Sequence, residues 1–188
     1  MKKNILVMAV SVVLVLILAS CASTVIQNNV PIDMTFEDML QGKCFYADGR
    51  PALLSSDYYL IYYAADWCPY CKEYEPLLKK TYENLIRMYG NVEIIFVGHE
   101  RDVSNDNLVS FMEQGGYSFP YLKFEYREET GIMHLVDVPK FYIPGFVLVD
   151  KQGKVLASSN GETADDYSRD YPIQYYTTLQ ICDCFGEE

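Results

Sequence analysis

The chain has 188 residues and half of them are hydrophobic, which suffices for one domain with a well-buried core. Its formal charge of −11 argues against a nucleic-acid-binding protein, because phosphate binding needs clustered lysine and arginine. The acidity indicates instead a solvated, self-repelling surface.

The first predicted element is a targeting segment. Two lysines precede an apolar run from Ile5 to Ala19, and the run closes with Leu18-Ala19-Ser20-Cys21. A basic region, an apolar region and a cleavage zone, in this order, are typical of a secretory signal peptide. The last four residues resemble the lipobox of bacterial lipoproteins, which implies cleavage before Cys21 and lipid on its thiol. The alternative is an ordinary signal peptide or membrane anchor with a chance cysteine.

This assignment divides the chain into a signal peptide (residues 1–20), a lipidated N-terminus and tether (21–35) and a folded domain (36–188). Loss of Lys2 and Lys3 would change the formal charge from −11 to −13. We expect the protein in the cell envelope, where disulfides persist. Several acyl chains on Cys21 would hold it at a membrane, facing the periplasm or the outer surface.

Strands and helices alternate along the rest of the chain. Apolar runs predict strands at 57–65 and 92–98 and a hairpin over 142–159 whose turn is Lys151-Gln152-Gly153. Helices are predicted within 34–42, from Pro69 to Gly90, over 105–116 after a cap at Ser104 or Asn105, and, past an acidic loop, over 171–185. The order predicts an α/β fold with a central mixed β-sheet flanked by helices.

Cys68 and Cys71 stand where the first long strand ends and a helix begins. A structural zinc site needs four ligands, but the chain has no second C-x-x-C, and its two histidines, His99 and His134, are far apart. A static bond in so small a loop would remove little unfolded-state entropy. Unpaired N–H groups and the helix dipole favour a thiolate at Cys68, which is predicted as the nucleophile. Cys71, one turn later on the buried side, is predicted to resolve the mixed disulfide.

Two motifs resemble the thioredoxin superfamily. The first is Trp67-Cys68-Pro69-Tyr70-Cys71 with Pro76 five residues further on. The second is "IPGFVLVDKQGKV", in which Ile143-Pro144 matches the family's cis-proline segment and Pro139 is a weaker candidate. The resemblance runs from about Tyr58 to Ser159 and is strongest to the tryparedoxin/nucleoredoxin-like branch and membrane-tethered bacterial relatives. It implies a thioredoxin-like fold and a set of substrate contacts: Trp67, Pro69, Tyr70, Ile143 and Pro144.

One position departs from the superfamily pattern. Thioredoxins carry a buried acid six residues before the first cysteine as a proton relay, and here that position is Tyr62. The acceptor of the Cys71 proton is therefore open: Asp66 is near, and a water or Glu73 could also serve. His99 ends a predicted strand at the same edge of the sheet, where it either tunes the thiolate or lies at the surface.

Three cysteines remain beyond Cys21 and the C-x-x-C pair: Cys44, Cys182 and Cys184. Because three is odd, at least one is free or paired outside the chain. A bond from Cys44 to Cys182 or Cys184 would close a loop of more than a hundred residues, a closure worth up to ~4.7 kcal/mol in the chain-entropy model. The alternatives are a strained Cys182–Cys184 bond or second exchanging site, metal capture by the three, and free thiols.

The sequence thus predicts a lipid-anchored, extracytoplasmic thiol–disulfide oxidoreductase. Its Cys68–Cys71 pair would exchange electrons with protein dithiols or disulfides and with an upstream redox donor or acceptor. No dissociable cofactor and no metal is implied. One alternative is a thioredoxin-fold binding or adaptor lipoprotein whose C-x-x-C is structural. Another is a peroxide-reducing enzyme, which needs a peroxidatic cysteine beside a threonine and an arginine that the sequence does not display.

Overall fold

The computed structural model of the chain describes residues 34–185, with side chains as far as Cys182. The predicted signal peptide and the lipidation site Cys21 lie outside these residues. The helices are α1 (Phe36–Leu40), α2 (Pro69–Met88), α3 (Asn105–Gly115) and α4 (Tyr171–Phe185). The strands are β1 (Cys44–Phe45), β2 (Tyr58–Ala64), β3 (Val92–Gly98), β4 (Tyr121–Leu122), β5 (Gly145–Asp150) and β6 (Val155–Ser158). Short 3₁₀ turns lie at Phe124–Tyr126, Ile132–His134 and Ala164–Asp166.

The strands form one mixed sheet in the order β1-β4-β3-β2-β5-β6, as the alternation of elements predicted. Strands β2, β3 and β4 are parallel, whereas β5 runs antiparallel to β2. Ala64 at the end of β2 is paired with Gly98 at the end of β3, and Tyr63 is paired with Gly145 at the start of β5. The loops that follow β2 and β3 and the loop that precedes β5 therefore meet at one edge of the sheet.

The sheet has a core on each face. The crossovers β2-α2-β3 and β3-α3-β4 move in the same direction across the sheet, so α2 and α3 cover one face, and Tyr176 of α4 joins their cluster. On the other face α1 and the segment 124–141 pack against the alternate side chains of β2 and β3. Burial on both faces explains why β2 reads as a nearly continuous apolar run.

Helix α2 follows the predicted apolar stripe. The recurrence of apolar residues at three- and four-residue steps predicts this stripe, which comprises Cys71, Tyr74, Leu78, Tyr82, Leu85 and Tyr89. The structure buries four of them on the inner face of the helix: Cys71, Tyr74, Leu78 and Leu85. Pro69 occupies the first helical position, where a missing N–H costs nothing, and Pro76 lies inside the helix. The helix ends at Met88, two residues before the predicted Gly90, which has a φ of 71° and breaks the helical path.

The structure corrects the predicted disulfide of Cys44. Cys44 lies on β1 in the core of the face opposite α4, with a free thiol, and Cys182 is a free thiol exposed on α4. The predicted Cys44–Cys182 bond is therefore wrong for this structure, because the sheet separates the two residues. The other predicted partner, Cys184, has its side chain outside the described residues. Burial raises the pKa of Cys44 to about 12, which keeps the thiol protonated and unreactive.

One carboxyl group is largely enclosed at the start of β3. Oε1 of Glu93 accepts hydrogen bonds from the N–H of Ile94 at 2.8 Å and from the hydroxyl of Tyr82 at 3.1 Å. Burial nevertheless raises the pKa of Glu93 to about 7, and the two hydrogen bonds only partly offset this shift. Folding therefore favours the protonated form of this side chain.

None of the helices within residues 34–185 is both long and apolar enough to cross a membrane.

Candidate active site

The two thiols of the C-x-x-C pair lie together at the N-terminus of α2. Cys68 is the N-cap residue, and only 4% of it is exposed. Its Sγ lies 3.8 Å from the carbonyl oxygen of Ile143, which belongs to the loop before β5. Cys71 is fully buried one turn later. Both are free thiols in this structure.

The environment of Cys71 keeps its proton in place. Burial raises the pKa of Cys71 above its ordinary value, and a hydrogen bond with Cys68 and the nearby charges of Cys68 and Asp102 act in the same direction. Cys68 occupies a different setting, because the unpaired N–H groups of the first turn of α2 surround the cap position. The two thiols thus differ in the way that separates an attacking sulfur from a resolving one.

The loop before β5 presents the peptide bond that faces Cys68. The Ile143–Pro144 bond is cis, which confirms the first of the two predicted positions; Pro139 is not in a cis bond. Side chains from beyond β6 hold this loop in place. Asn160 binds both the N–H and the carbonyl of Tyr142, and the hydroxyl of Tyr167 donates to the carbonyl of Pro144 at 2.6 Å.

Gly145 follows this peptide because no larger residue fits. A Cβ at this position would lie 2.6 Å from the carbonyl oxygen of Tyr142 and 2.6 Å from the ring of Phe141. The backbone of the loop therefore turns into β5 in close contact with its own preceding residues. This close approach fixes the carbonyl of Ile143 over the thiol.

Trp67 is held beside the thiols by the loop 99–102, which follows β3. Its indole N–H donates to Oδ1 of Asp102 at 3.1 Å, and its ring meets the edge of His99 at a centroid distance of 5.0 Å. The guanidinium of Arg101 lies 5.6 Å from the indole centroid. His99 is half-buried against Trp67, and burial lowers the pKa of its imidazole, which favours the neutral ring.

The structure gives a different candidate for the proton acceptor from those the sequence suggested. Tyr62 is stacked on Phe146 at a ring-centroid distance of 4.8 Å in an aromatic core. Its hydroxyl has no hydrogen-bond partner within residues 34–182, and burial raises its pKa well above the ordinary value. Glu73 is exposed on α2. The carboxyl group of Asp102, by contrast, is buried, and burial raises its pKa. The charge of Asp102 is one of the causes that raise the pKa of Cys71, which makes Asp102 a candidate acceptor of the proton that this thiol must lose.

Sequence reasoning missed Asp102 and also the residue that fixes its loop. Arg127 is buried, and its Nη1 donates to the carbonyl oxygens of Gly98 and His99 at 3.1 and 2.5 Å. The guanidinium also lies 3.9 Å from the ring centroid of Phe124. A general rule would have found Asp102: polar residues that follow parallel strands gather at the carboxyl edge of the sheet, where sites form. No local signal marks Arg127.

The predicted substrate-contact residues around the two thiols differ in their exposure to solvent. Trp67 and Tyr70 are 47% and 69% exposed, and Pro69 is exposed as well. Ile143 is half-buried and Pro144 is buried. An incoming chain would therefore meet the side chains of 67–70 and the backbone of 143–144. His134 is exposed in the turn Ile132–His134.

Paired thiols at a helix N-terminus, opposite a cis-proline peptide at the edge of a mixed sheet, define a thioredoxin-like protein. Residues 56–155 match the family described as thioredoxin-like, and the chain belongs to that family.

Comparisons with individual proteins agree with the predicted branch. The chain is similar to Nucleoredoxin of Homo sapiens, with 23% identity over 154 residues that cover 79% of the chain and 34% of that protein. It therefore spans about a third of the length of this curated relative. Among solved structures, thioredoxin from Wuchereria bancrofti has a TM-score of 0.53 at 23% identity, covering 77% of this chain and 97% of that one. Tryparedoxin from Trypanosoma brucei has a TM-score of 0.55 at 17% identity, covering 75% and 92%. Both structures share the fold.

Proposed function

We propose that the protein is a thiol–disulfide oxidoreductase that acts on other proteins through Cys68 and Cys71. The observation that carries this proposal is the asymmetry of the pair: one sulfur at the N-cap of α2 facing the Ile143 carbonyl, the other buried one turn behind it. A structural staple would need no such difference between its two sulfurs. The similarity to a nucleoredoxin supports the same activity.

The exchange proceeds in two steps. The Cys68 thiolate attacks one sulfur of a substrate disulfide, forms a mixed disulfide with it and releases the other substrate sulfur as a thiolate. Cys71 then loses its proton and attacks Sγ of Cys68, which forms the Cys68–Cys71 disulfide and releases the substrate as a dithiol. Two electrons pass from the pair to the substrate, and an upstream dithiol returns them by the reverse sequence. The same steps run backwards when the oxidised protein meets a reduced substrate.

Reduction of insulin by dithiothreitol tests this function. The full-length chain, purified in detergent, should accelerate the appearance of turbidity because its pair relays electrons from dithiothreitol to insulin. A variant with serine at both Cys68 and Cys71 should give only the background rate, while Cys182→Ser should match the wild type. Absence of acceleration by the wild-type chain would favour a binding or adaptor protein.

We further propose that the protein works in the cell envelope, anchored through lipid on Cys21, and that its substrates are cysteine pairs of proteins there. The motif Leu18-Ala19-Ser20-Cys21 supports this proposal. Cells fed a labelled fatty acid should incorporate the label into the wild-type chain and not into the Cys21→Ala variant, which should leave the membrane fraction or remain unprocessed. Cys182→Ala is the matched control and should be labelled normally. Equal labelling of Cys21→Ala would refute the lipid anchor.

A further inference from the structure

A cavity of about 350 Å³ lies beside the cis-proline loop, and it is lined by residues that contact Cys68 and Trp67. The cavity is lined by Ile143, whose carbonyl faces Cys68. His99 and Arg101, which contact Trp67, line it as well. A chain that places a sulfur on Cys68 would therefore meet Ile143, which is part of the lining of this cavity. Its volume is in the range that accepts a small ligand or a few side chains.

The two walls of the cavity come from different parts of the fold. One wall is the loop 99–101 after β3, and the other is the segment 138–141 that leads to the cis-proline loop. The base is aromatic: the rings of Tyr63 and Phe141 lie at a centroid distance of 4.7 Å. Both walls are anchored, because Arg127 binds the carbonyls of Gly98 and His99, and Asn160 binds Tyr142. The cavity is thus a preformed part of the site.

The charges around the cavity are predominantly positive, although the chain as a whole is strongly acidic. Arg101 and Lys140 contribute cations and Glu100 contributes one carboxylate, while burial favours the neutral form of His99. Arg101 lies over the Trp67 ring, and Nζ of Lys140 lies 4.5 Å from the ring centroid of Tyr142. Within residues 34–182, neither cation has a carboxylate at ion-pair distance. Two cations held over aromatic rings and left without counter-ions favour an anionic ligand.

We propose that this cavity binds an acidic segment of the substrate protein immediately next to its reactive cysteine. The inference rests on the proposed function and names the substrates that the site prefers. Aliphatic parts of the bound side chains would pack on Tyr63 and Phe141, while their carboxylates pair with Arg101 and Lys140. Because these pairs form at a partly exposed rim, they change the rate of productive encounter and weaken as salt is added.

Three peptides test the preference. Each contains one cysteine as a mixed disulfide with 2-nitro-5-thiobenzoate, flanked on both sides by two glutamates, two glutamines or two lysines. Release of the coloured thiolate by the reduced full-length chain gives a second-order rate constant for each peptide. We expect the glutamate peptide to react about five times faster than the glutamine peptide at low salt, with the lysine peptide slowest. Equal rates for all three peptides, or the fastest rate for lysine, would overturn the proposal.

Substitutions assign the preference to the cavity. Lys140→Gln and Arg101→Gln should each lower the ratio of glutamate to glutamine rates, and the double variant should bring it close to one. Glu100→Gln should raise the ratio, since it removes the carboxylate of the lining. Lys154→Gln is the matched control: Lys154 is exposed at the turn between β5 and β6, at the end of β5 remote from the site, and its loss should leave the ratio unchanged. An unchanged ratio in the double variant would refute the assignment.

A binding measurement separates this proposal from the proposed function. Trp67 is the chain's single tryptophan and contacts Arg101, so its fluorescence reports on ligands that contact Arg101. The same peptides with serine in place of cysteine should bind in the order glutamate, glutamine, lysine, and Lys140→Gln should weaken only the first. If the glutamine peptide exchanges and the three serine peptides bind equally, the cavity proposal fails and the function stands. If no peptide exchanges but the glutamate peptide binds selectively, the proposed function fails, and of the cavity proposal only the preference for an acidic peptide stands.

Discussion

Replacing Cys71 with serine should convert the protein into a trap for its own substrates. Cys68 remains at the N-cap of α2 and can still attack a disulfide, but a serine hydroxyl cannot displace the bound partner at neutral pH. The mixed disulfide should therefore accumulate, and turnover in the insulin assay should fall to the background rate. A non-reducing gel of membranes from cells that express the variant should show adducts that disappear on reduction.

The matched variant Cys68→Ser should lose turnover equally and yet trap almost nothing. Its remaining thiol, Cys71, is fully buried, and burial raises its pKa, so it is a poor nucleophile. Adducts of equal intensity in both variants would contradict the assignment of attacking and resolving sulfurs. Absence of adducts in both, together with an inactive wild type, would indicate a binding protein.

Replacing Glu93 with glutamine should change how the stability of the protein depends on pH. The folded pKa of about 7 lies above the ordinary value of 4.5, so the folded chain holds this proton more tightly than the unfolded chain. The contribution of Glu93 is therefore fully present below about pH 4.5 and is lost as the pH rises through 7. Between pH 5 and pH 8 the loss amounts to about 2–3 kcal/mol of the free energy of unfolding.

Glutamine removes this titration and keeps an oxygen that can accept from Ile94 and Tyr82. Urea unfolding at pH 5 and pH 8 measures the effect, and the diagnostic quantity is the difference between the two pH values, because any fixed cost of burying the amide cancels. Wild type should lose about 2–3 kcal/mol more than the variant between these pH values. Glu83→Gln, at an exposed position of α2, serves as control and should behave as wild type. A variant with the pH dependence of the wild type would show that Glu93 titrates normally in the fold.

The long helices and strands and the thiol pair could be predicted because each is marked in the sequence by apolar periodicity, by a terminating glycine or by a recognisable motif. The stripe of α2, the apolar runs of β2 and β3 and the glycine after α3 gave these elements to within about two residues. The positions of Cys68 and of Ile143–Pro144 at one edge then follow from the strand directions. Strands β1 and β4 are two residues long and have no periodicity, so only the neighbouring strands decide where they pair.

The rest of the site depends on contacts between residues far apart in the chain. Asp102 belongs to the site because it accepts a hydrogen bond from Trp67, which is thirty-five residues away in sequence. Arg127 belongs to it because its guanidinium donates to the carbonyls of Gly98 and His99 at the end of β3. The sequence predicted a disulfide between Cys44 and a cysteine of α4, but the sheet lies between Cys44 and that helix. In each case the neighbouring sequence contains no motif that marks the residue, and only its contacts in the folded structure give it a role.

Arg127 connects the segment 124–136, which packs on one face of the sheet, to the loop that contacts Trp67. This connection affects the cooperativity of unfolding. Its charged group resides in the interior, where burial lowers its pKa and where the carbonyls of Gly98 and His99 are its hydrogen-bond acceptors. Detaching the segment 124–136 would leave those acceptors unpaired and would release the loop that orients Trp67. We therefore expect fraying of that segment to disorder the reactive edge as well. The reactive edge is protected by a part of the chain that touches neither thiol, so a destabilising change there would lower reactivity while both cysteines stay intact.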